Sequence, residues 1–551
     1  MDDQTAGERW DEMNSSVDIL ARALFRAGCR HAFGIPGGEV LAVMAALDRA
    51  GIRFELCKHE NSGGFMAEGT HHVTGAPGVL LATLGPGVAN AANVMANALQ
   101  DQVPLIFITG RVDAAEAASY THQVFDHAAL LAPITKASLT LASNAVDVLV
   151  DKAIAIATAY PPGPVHIDVP IAVATMDQGA ERARLQAPTQ PLAPAPGLEW
   201  EAAQACLAAA ARPILIAGVG VLHDHAADAV AAFARRFQVP LITTYKAKGV
   251  LAEDEPLALG GAGLSPLADR YLLPLVAQSD CIILAGYDPI EMRVGWRDPW
   301  PRDADVIELG GLENTHYMHQ ARWSFRCHVG AGLGALGQGG GRDGGHNETW
   351  PNGEAAATRA ALIAAFRADE DWGPGALVDE IQKHSPDNAI ATADSGAHRI
   401  LLSQIWRCFQ PRGLLQSSAL CTMGCALPLA IGAKLAAPDR MVIGFMGDAS
   451  LEMVMGELAT LRDLRQNILV VVFVDHALAL IEKKQQESGL QPLGVTFGAT
   501  DFVALADAMG GHGVAIYSRA GIAAAMSDAG GRETFTLLAC EIGRNAYDGR
   551  I

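Results

Sequence analysis

Apolar residues in this chain gather into short runs bounded by turn formers. Val79 to Thr83, Leu105 to Thr109, Ala389 to Ala393, Met441 to Met446 and Ile468 to Val474 are of this kind. Similar runs open 212–221 (RPILIAGVGV), 280–296 and 303–310. Continuous runs of this length predict strands buried on both faces. Between them apolar positions recur at three- and four-residue steps, which predicts helices. Val17 to Ala27 and Asn61 to Thr74 read this way, as does one helix through Leu451, Met455, Leu458 and Leu461. Strands alternating with helices predict doubly wound parallel sheets. Two stretches break the pattern. Residues 178–197 are rich in Pro and Ala, and 336–357 are the most Gly-rich of the chain. Both read as linkers, the second as mobile. The expected fold is therefore α/β, with three doubly wound parallel-sheet domains at 1–185, 195–335 and 358–551.

Composition narrows the choice of function. At 551 residues the chain exceeds a single core, and half of it is hydrophobic. A net charge of −20 argues against nucleic acid and anionic membranes as partners. No apolar run is long enough to span a bilayer, and the start (MDDQTAGERWDEMNSS) is acidic, unlike a signal peptide. The nine Cys are scattered without a C-x-x-C pair, which predicts free thiols in a reducing cytoplasm. Cys421 and Cys425 have helical spacing but no His nearby, so they read as packing residues.

The densest chemistry lies between Gly444 and Gln486. One strand ends in Gly447-Asp448-Ala449-Ser450, and the next ends in Asp475-His476. Neighbouring parallel strands would bring Asp448 and Asp475 together on the carboxyl edge of a sheet, where such folds bind ligands. Two carboxylates there call for a cation, and small residues at a helix start admit phosphate. Taken singly, an Asp at a strand end is ordinarily a helix cap. Gly218-x-Gly220, by contrast, is too weak a signal for a nucleotide.

The 27-residue spacing of Asp448 and Asp475 resembles the diphosphate-anchoring motif of thiamine diphosphate (ThDP) enzymes. Two further segments are similar to the same family: KHENSGGFMAEG (58–69) and LGPGVANAANVMANALQDQVPLIFITG (84–110). SSALCTMGCALPLAIGAKLAAP (417–438), GIPGGE (34–39) and THQVFDHAALLAPITK (121–136) resemble its acetolactate synthases, and GYDPIEMR (286–293) their FAD-free catabolic members. The likeness implies Mg²⁺ on Asp448, Asp475 and the Ala477 carbonyl. It implies cofactor contacts from Asn90, Ser395, Gly396, His398, Cys421, Gly447, Ala449 and Ser450. Met423 falls on the residue that bends the cofactor, and Glu60 on the acid that activates it. Gln123 and Gly38 fall beside the reacting centre. Arg293 lies near a substrate-binding arginine, though only with a one-residue shift. The chain departs from the family pattern at Val474, usually Asn, and at Glu39, where catabolic members carry Lys.

The resemblance implies a ThDP- and Mg²⁺-dependent enzyme, without FAD, that decarboxylates a 2-oxo acid and adds the remaining fragment to a second carbonyl compound. A related lyase or transferase with a sulfonated, hydroxylated or acyl-CoA donor is one alternative, and a catalytically degenerate partner subunit is another. It also implies a homodimer, or a dimer of dimers, with sites between subunits. The long linkers give no reason for the first and third domains to pair within one chain.

Overall fold

The computed structural model describes residues 14–179, 190–290, 292–338 and 349–551. Parts of both expected linkers, 180–189 and 339–348, lie outside the described residues. The first sheet comprises β1 (His31–Ile35), β2 (Arg53–Leu56), β3 (Gly78–Ala82), β4 (Leu105–Arg111), β5 (Ala137–Thr140) and β6 (Pro164–Pro170). The second holds β7 (Pro213–Ala217), β8 (Leu241–Thr244), β9 (Ala258–Ala262), β10 (Cys281–Ala285), β11 (Asp305–Gly310) and β12 (Trp323–Arg326). The third holds β13 (Ile390–Ala393), β14 (Leu414–Gln416), β15 (Val442–Gly447), β16 (Leu469–Val474), β17 (His512–Ile516) and β18 (Thr536–Glu541). Every pairing in these sheets is parallel. The expectation of three α/β units thus holds.

Strand order decides where ligands can enter. The first sheet runs β2-β1-β3-β4-β6-β5 and the third β14-β13-β15-β16-β18-β17, the same winding twice. The second runs β12-β11-β10-β7-β8-β9. The winding starts off in opposite directions from a point between β1 and β3, β7 and β10, and β13 and β15, and the first and third sheets turn back once more at their far edge, at β5/β6 and β17/β18. A crevice opens outside the carboxyl ends at such a reversal, because the connecting helices leave on opposite faces. In the central domain that crevice is closed by backbone. The Gly218 N–H donates to the Ala285 carbonyl (3.0 Å) and the Gly220 N–H to that of Gly286 (2.9 Å). A Cβ on Gly218 would lie 2.5 Å from the Gly286 oxygen, so these glycines serve close packing.

Contrary to the expectation from the linkers, the first and third domains do pair within one chain. The helix Glu60–Thr74 lies along the helix Ala426–Ala436, and one apolar core runs through both domains. Small residues permit the approach. A Cβ on Gly432 would sit 1.9 Å from the Met66 carbonyl oxygen, and one on Gly69 2.4 Å from that of Leu429. Polar contacts add to the seam. The Lys58 N–H donates to Glu457 (3.0 Å), Ser417 Oγ to Asn97 (2.6 Å), and Arg412 Nη1 to His72 Nδ1 (2.8 Å). Asp101 accepts from the N–H groups of Ser418 and Ala419 and pairs with Lys246 of the central domain (3.1 Å). The helix Glu354–Ala365 begins inside the stretch expected as linker (336–357) and lies against β9 and the helix Pro266–Val276, so that end of the linker is ordered by packing on the central domain.

The single helix expected after Asp448 is two, Asp448–Val454 and Glu457–Leu464. The break falls at Met455-Gly456, and Met455 is 43% exposed while Leu451, Leu458 and Leu461 are fully buried. The two pieces keep the apolar face in phase across the break, so periodicity alone cannot reveal it.

Candidate active site

Residues after β13 and β15 line a cleft at the reversal of the third sheet. Ser395, Gly396 and His398 form one wall, Gly447, Asp448, Ala449 and Ser450 another, and Asp475 and Ala477 a third; Met423 also lines it. β15 and β16 are in register with Gly447 beside Phe473, so their ends bring the two aspartates together. Asp448 Oδ2 accepts from the N–H groups of Asp475 (3.1 Å) and His476 (2.7 Å), and Asp475 Oδ1 from that of Ala477 (3.0 Å). Two helix starts, at Ala397 and Asp448, also open on the cleft. First-turn N–H groups favour an anion, although that of Ala449 is already met by Asp448 Oδ1 (2.8 Å).

The electrostatics of this cleft call for a cation. Burial raises the Asp448 carboxyl above its usual range. Burial, then the neighbouring Asp448 charge, pushes Asp475 up to about 7. Among the described residues neither forms an ion pair with Lys or Arg, and Arg544 bonds Glu482 instead (2.6 Å). A divalent ion between the two oxygens would remove their repulsion, and the all-oxygen donor set suits Mg²⁺. The residues present therefore fit a metal-bound diphosphate.

A second group forms on the first domain. Glu60 starts its helix and is 4% exposed. Asn90 Nδ2 donates to Glu60 Oε2 (3.0 Å). Asn90 ends the short helix Pro86–Asn90, which begins after Gly85 at φ 66°. Gln123 stands over that turn, since a Cβ on Gly85 would meet its carbonyl at 2.5 Å. The Gly85 N–H donates to His127 Nε2 (3.2 Å), and His127 Nδ1 bonds Asp168 (2.8 Å). Asp168 also accepts from Thr109 (2.6 Å) and Arg111 (3.1 Å). Burial opposes its ionisation, but hydrogen bonds from His127 and His166 outweigh it and hold the carboxyl well below the usual range. His127, His166 and Asp168 are close enough to share a metal. Their ring nitrogens are already engaged, those of His166 by Thr109 and Ser138. This trio is scaffolding for the Gly85 turn.

The expected residues thus divide between two places. Ser395, Gly396, His398, Met423, Gly447, Asp448, Ala449, Ser450, Asp475 and Ala477 share the cleft. Glu60, Asn90 and Gln123 gather on the first domain. Cys421 lies off the cleft lining, at φ 52°, with its sulfur against Arg399 (2.9 Å) and the Ser418 carbonyl (3.1 Å). Cys425 caps the helix Ala426–Ala436, so the two cysteines share no helix turn. Arg293 is exposed in the central domain, its N–H on the Gly263 carbonyl (3.1 Å). Gly38 borders open space, and Glu39 accepts from Thr83 Oγ1 (2.8 Å).

Sequence reading passed over several participants. Asp394 bonds His398 (2.7 Å) and the Gly424 N–H (2.9 Å), tying one cleft wall to the Met423 loop. Phe473, Tyr547 and Leu478 to Ile481 complete the lining. The His127–Asp168 dyad left one signal, His166 and Asp168 at alternate positions of an apolar strand.

Comparisons with known proteins identify the family. Three family models match in order: the thiamine pyrophosphate (that is, ThDP) enzyme N-terminal TPP binding domain over 15–130, its central domain over 200–316, and its C-terminal TPP binding domain over 394–540. The chain is 32% identical to acetolactate synthase isozyme 1 large subunit of Escherichia coli, over 88% of this chain and 85% of that one. It is 32% identical to a probable 2-ketoarginine decarboxylase of Pseudomonas aeruginosa (89% and 87%) and 28% identical to an acetolactate synthase of Bacillus subtilis (92% and 89%). With the paired aspartates and the buried Glu60–Asn90 contact in place, these matches make the chain a member of the thiamine diphosphate enzyme family, in its acetolactate synthase group.

Proposed function

We propose that this enzyme, a ThDP-dependent decarboxylase/carboligase, uses Mg²⁺, takes a 2-oxo acid as donor and transfers the remaining acyl unit to a second carbonyl compound. The Asp448–Asp475 pair at the β13/β15 reversal carries the reading, because two buried carboxylates facing two helix starts suit a metal-bound diphosphate and little else. Asp448, Asp475 and the Ala477 carbonyl would hold Mg²⁺. Ser395, Gly396, Ala449 and Ser450 would meet phosphate oxygens, and Met423 would keep the two cofactor rings bent. Glu60, oriented by Asn90, would hold a proton at the pyrimidine ring nitrogen. Asp would be one methylene short there, and Gln could not exchange the proton. Bound ThDP supplies the electron sink for the pair left when CO₂ departs. Gln123 and Gly38 border the face where the substrate carbonyl would lie.

The cleft is lined by the third domain alone, and Glu60 does not line it. This supports a site completed by a second copy, in a homodimer or a dimer of dimers. The closed central crevice supports a site without FAD. The nine Cys, all free, support a reducing compartment such as the cytoplasm. No helix among the described residues is long and apolar enough to cross a membrane. The Pseudomonas aeruginosa relative favours a second reading, decarboxylation without ligation, and a product screen separates the two. Protein treated with EDTA should release ThDP and regain it with Mg²⁺. The reconstituted protein should liberate CO₂ from at least one 2-oxo acid. ThDP retained after stripping, or no CO₂ from any 2-oxo acid, would sink the reading.

A further inference from the structure

The first sheet changes direction between β1 and β3, the place where parallel sheets open a crevice at their carboxyl ends, and Glu39 stands at that edge. The β1 turn Pro36-Gly37-Gly38 delivers Glu39, and Thr83, just past β3, donates to its Oε2 (2.8 Å). The fold makes room for this side chain, since a Cβ on Gly110 would lie 2.7 Å from Glu39 Cβ and one on Gly37 2.7 Å from Glu39 Oε2. On the open side, a Cβ on Gly38 would meet nothing within 4 Å. The crevice adjoins Glu60: a Cβ on Gly87 would lie 3.3 Å from Thr83 Cγ2 and 3.2 Å from Glu60 Oε1.

A half-buried carboxylate at a ligand crevice ordinarily has a cation. Among the described residues of its own chain Glu39 forms no ion pair, and its one hydrogen bond there is from Thr83. The basic side chains on the neighbouring elements are otherwise engaged. Arg111, beside Gly110, bonds Asp168 and Thr140, and His127, under Gly85, bonds Asp168. A small 2-oxo acid with an uncharged side chain would bring only its carboxylate to this place, and nothing to meet Glu39.

We infer that Glu39 selects the donor: a 2-oxo acid whose side chain ends in a cation, a guanidinium above all. A guanidinium presents two N–H groups in the plane of a carboxylate, which suits an acid already fixed by Thr83. The inference rests on the 2-oxo acid reading above and names the substrate class of that site.

The test compares 5-guanidino-2-oxopentanoate with its neutral near-isostere, 5-ureido-2-oxopentanoate, and with pyruvate, each as sole donor for the Mg²⁺- and ThDP-loaded enzyme. CO₂ release gives kcat/KM. The guanidino acid should be preferred over the ureido acid by about 10²-fold, typical of a charge pair in a partly desolvated site. Glu39→Gln can still accept from Thr83 and should bind ThDP normally while losing most of that preference. Glu39→Lys should raise KM for the guanidino acid further. Equal use of the two acids, or a preference that survives in Glu39→Gln, would overturn the inference and leave the 2-oxo acid reading intact. CO₂ from pyruvate but not from the guanidino acid would do the same. No CO₂ from any 2-oxo acid would remove both.

Discussion

At the scale of single residues, Asp475 and Glu39 show how position changes the meaning of a carboxylate. Asp475 sits against Asp448 in a buried cleft, which pushes it up to about 7. Without metal, therefore, it holds a proton that an exposed aspartate would have lost near pH 4. Mg²⁺ must displace that proton, so binding is coupled to its release at any pH below about 7. The apparent affinity for Mg²⁺ with ThDP should rise about tenfold per pH unit up to pH 7 and then level off. Titration calorimetry at pH 6, 7 and 8 in buffers of different ionisation enthalpy would show this. An affinity flat from pH 6 to 8, with no proton released, would contradict a shared site. Asp448 and Asp475 were legible in the sequence because their spacing joins two neighbouring strands. That Glu39, held by Thr83 Oγ1, has no cation beside it among the described residues was not legible, since ion pairing is a property of the fold.

At the scale of elements, buried strands were the most legible parts. The runs 441–446 and 468–474 correspond to β15 and β16 within a residue, because such strands need every side chain apolar. The break at Met455-Gly456 and the crossing of two helices escaped sequence reading for different reasons. The break keeps the apolar face in phase. The crossing depends on Gly69 and Gly432, which in sequence are only small residues within helices. In the structure each touches the opposing backbone, so Gly432→Ala must push the two domains apart. The substitution should raise helix propensity yet destabilise the protein by about 1–3 kcal/mol, the usual cost of overpacking. Ala433→Gly, one position on, would cost only the about 1 kcal/mol of a helical glycine plus a lost methyl. Urea unfolding of the metal-free protein gives both numbers. Equal stability of Gly432→Ala and wild type would mean that the crossing is loose in solution.

At the scale of the whole molecule, the first and third domains share one winding and one core, yet their functional groups are kept apart. Within a chain they meet through helix faces, at Gly69 and Gly432, and through Asp101 and Arg412 at the three-domain junction. The cleft with Asp448 and the crevice with Glu39 and Glu60 each open at the carboxyl edge of their own sheet. Two copies related by a two-fold axis would bring the first sheet of one to the third sheet of the other, twice. Glu60→Gln and Asp448→Ala, each alone, should then leave almost no activity. Mixed in equal amounts and allowed to exchange subunits, half of the dimers would be hybrids. Each hybrid holds one site with both residues intact and one with neither, so about a quarter of wild-type activity should return. Exchange can be followed by native mass spectrometry of differently tagged variants. Confirmed hybrids without recovered activity would mean that Glu60 serves the Asp448 of its own chain, and that the helix crossing within a chain, rather than a second copy, completes the site.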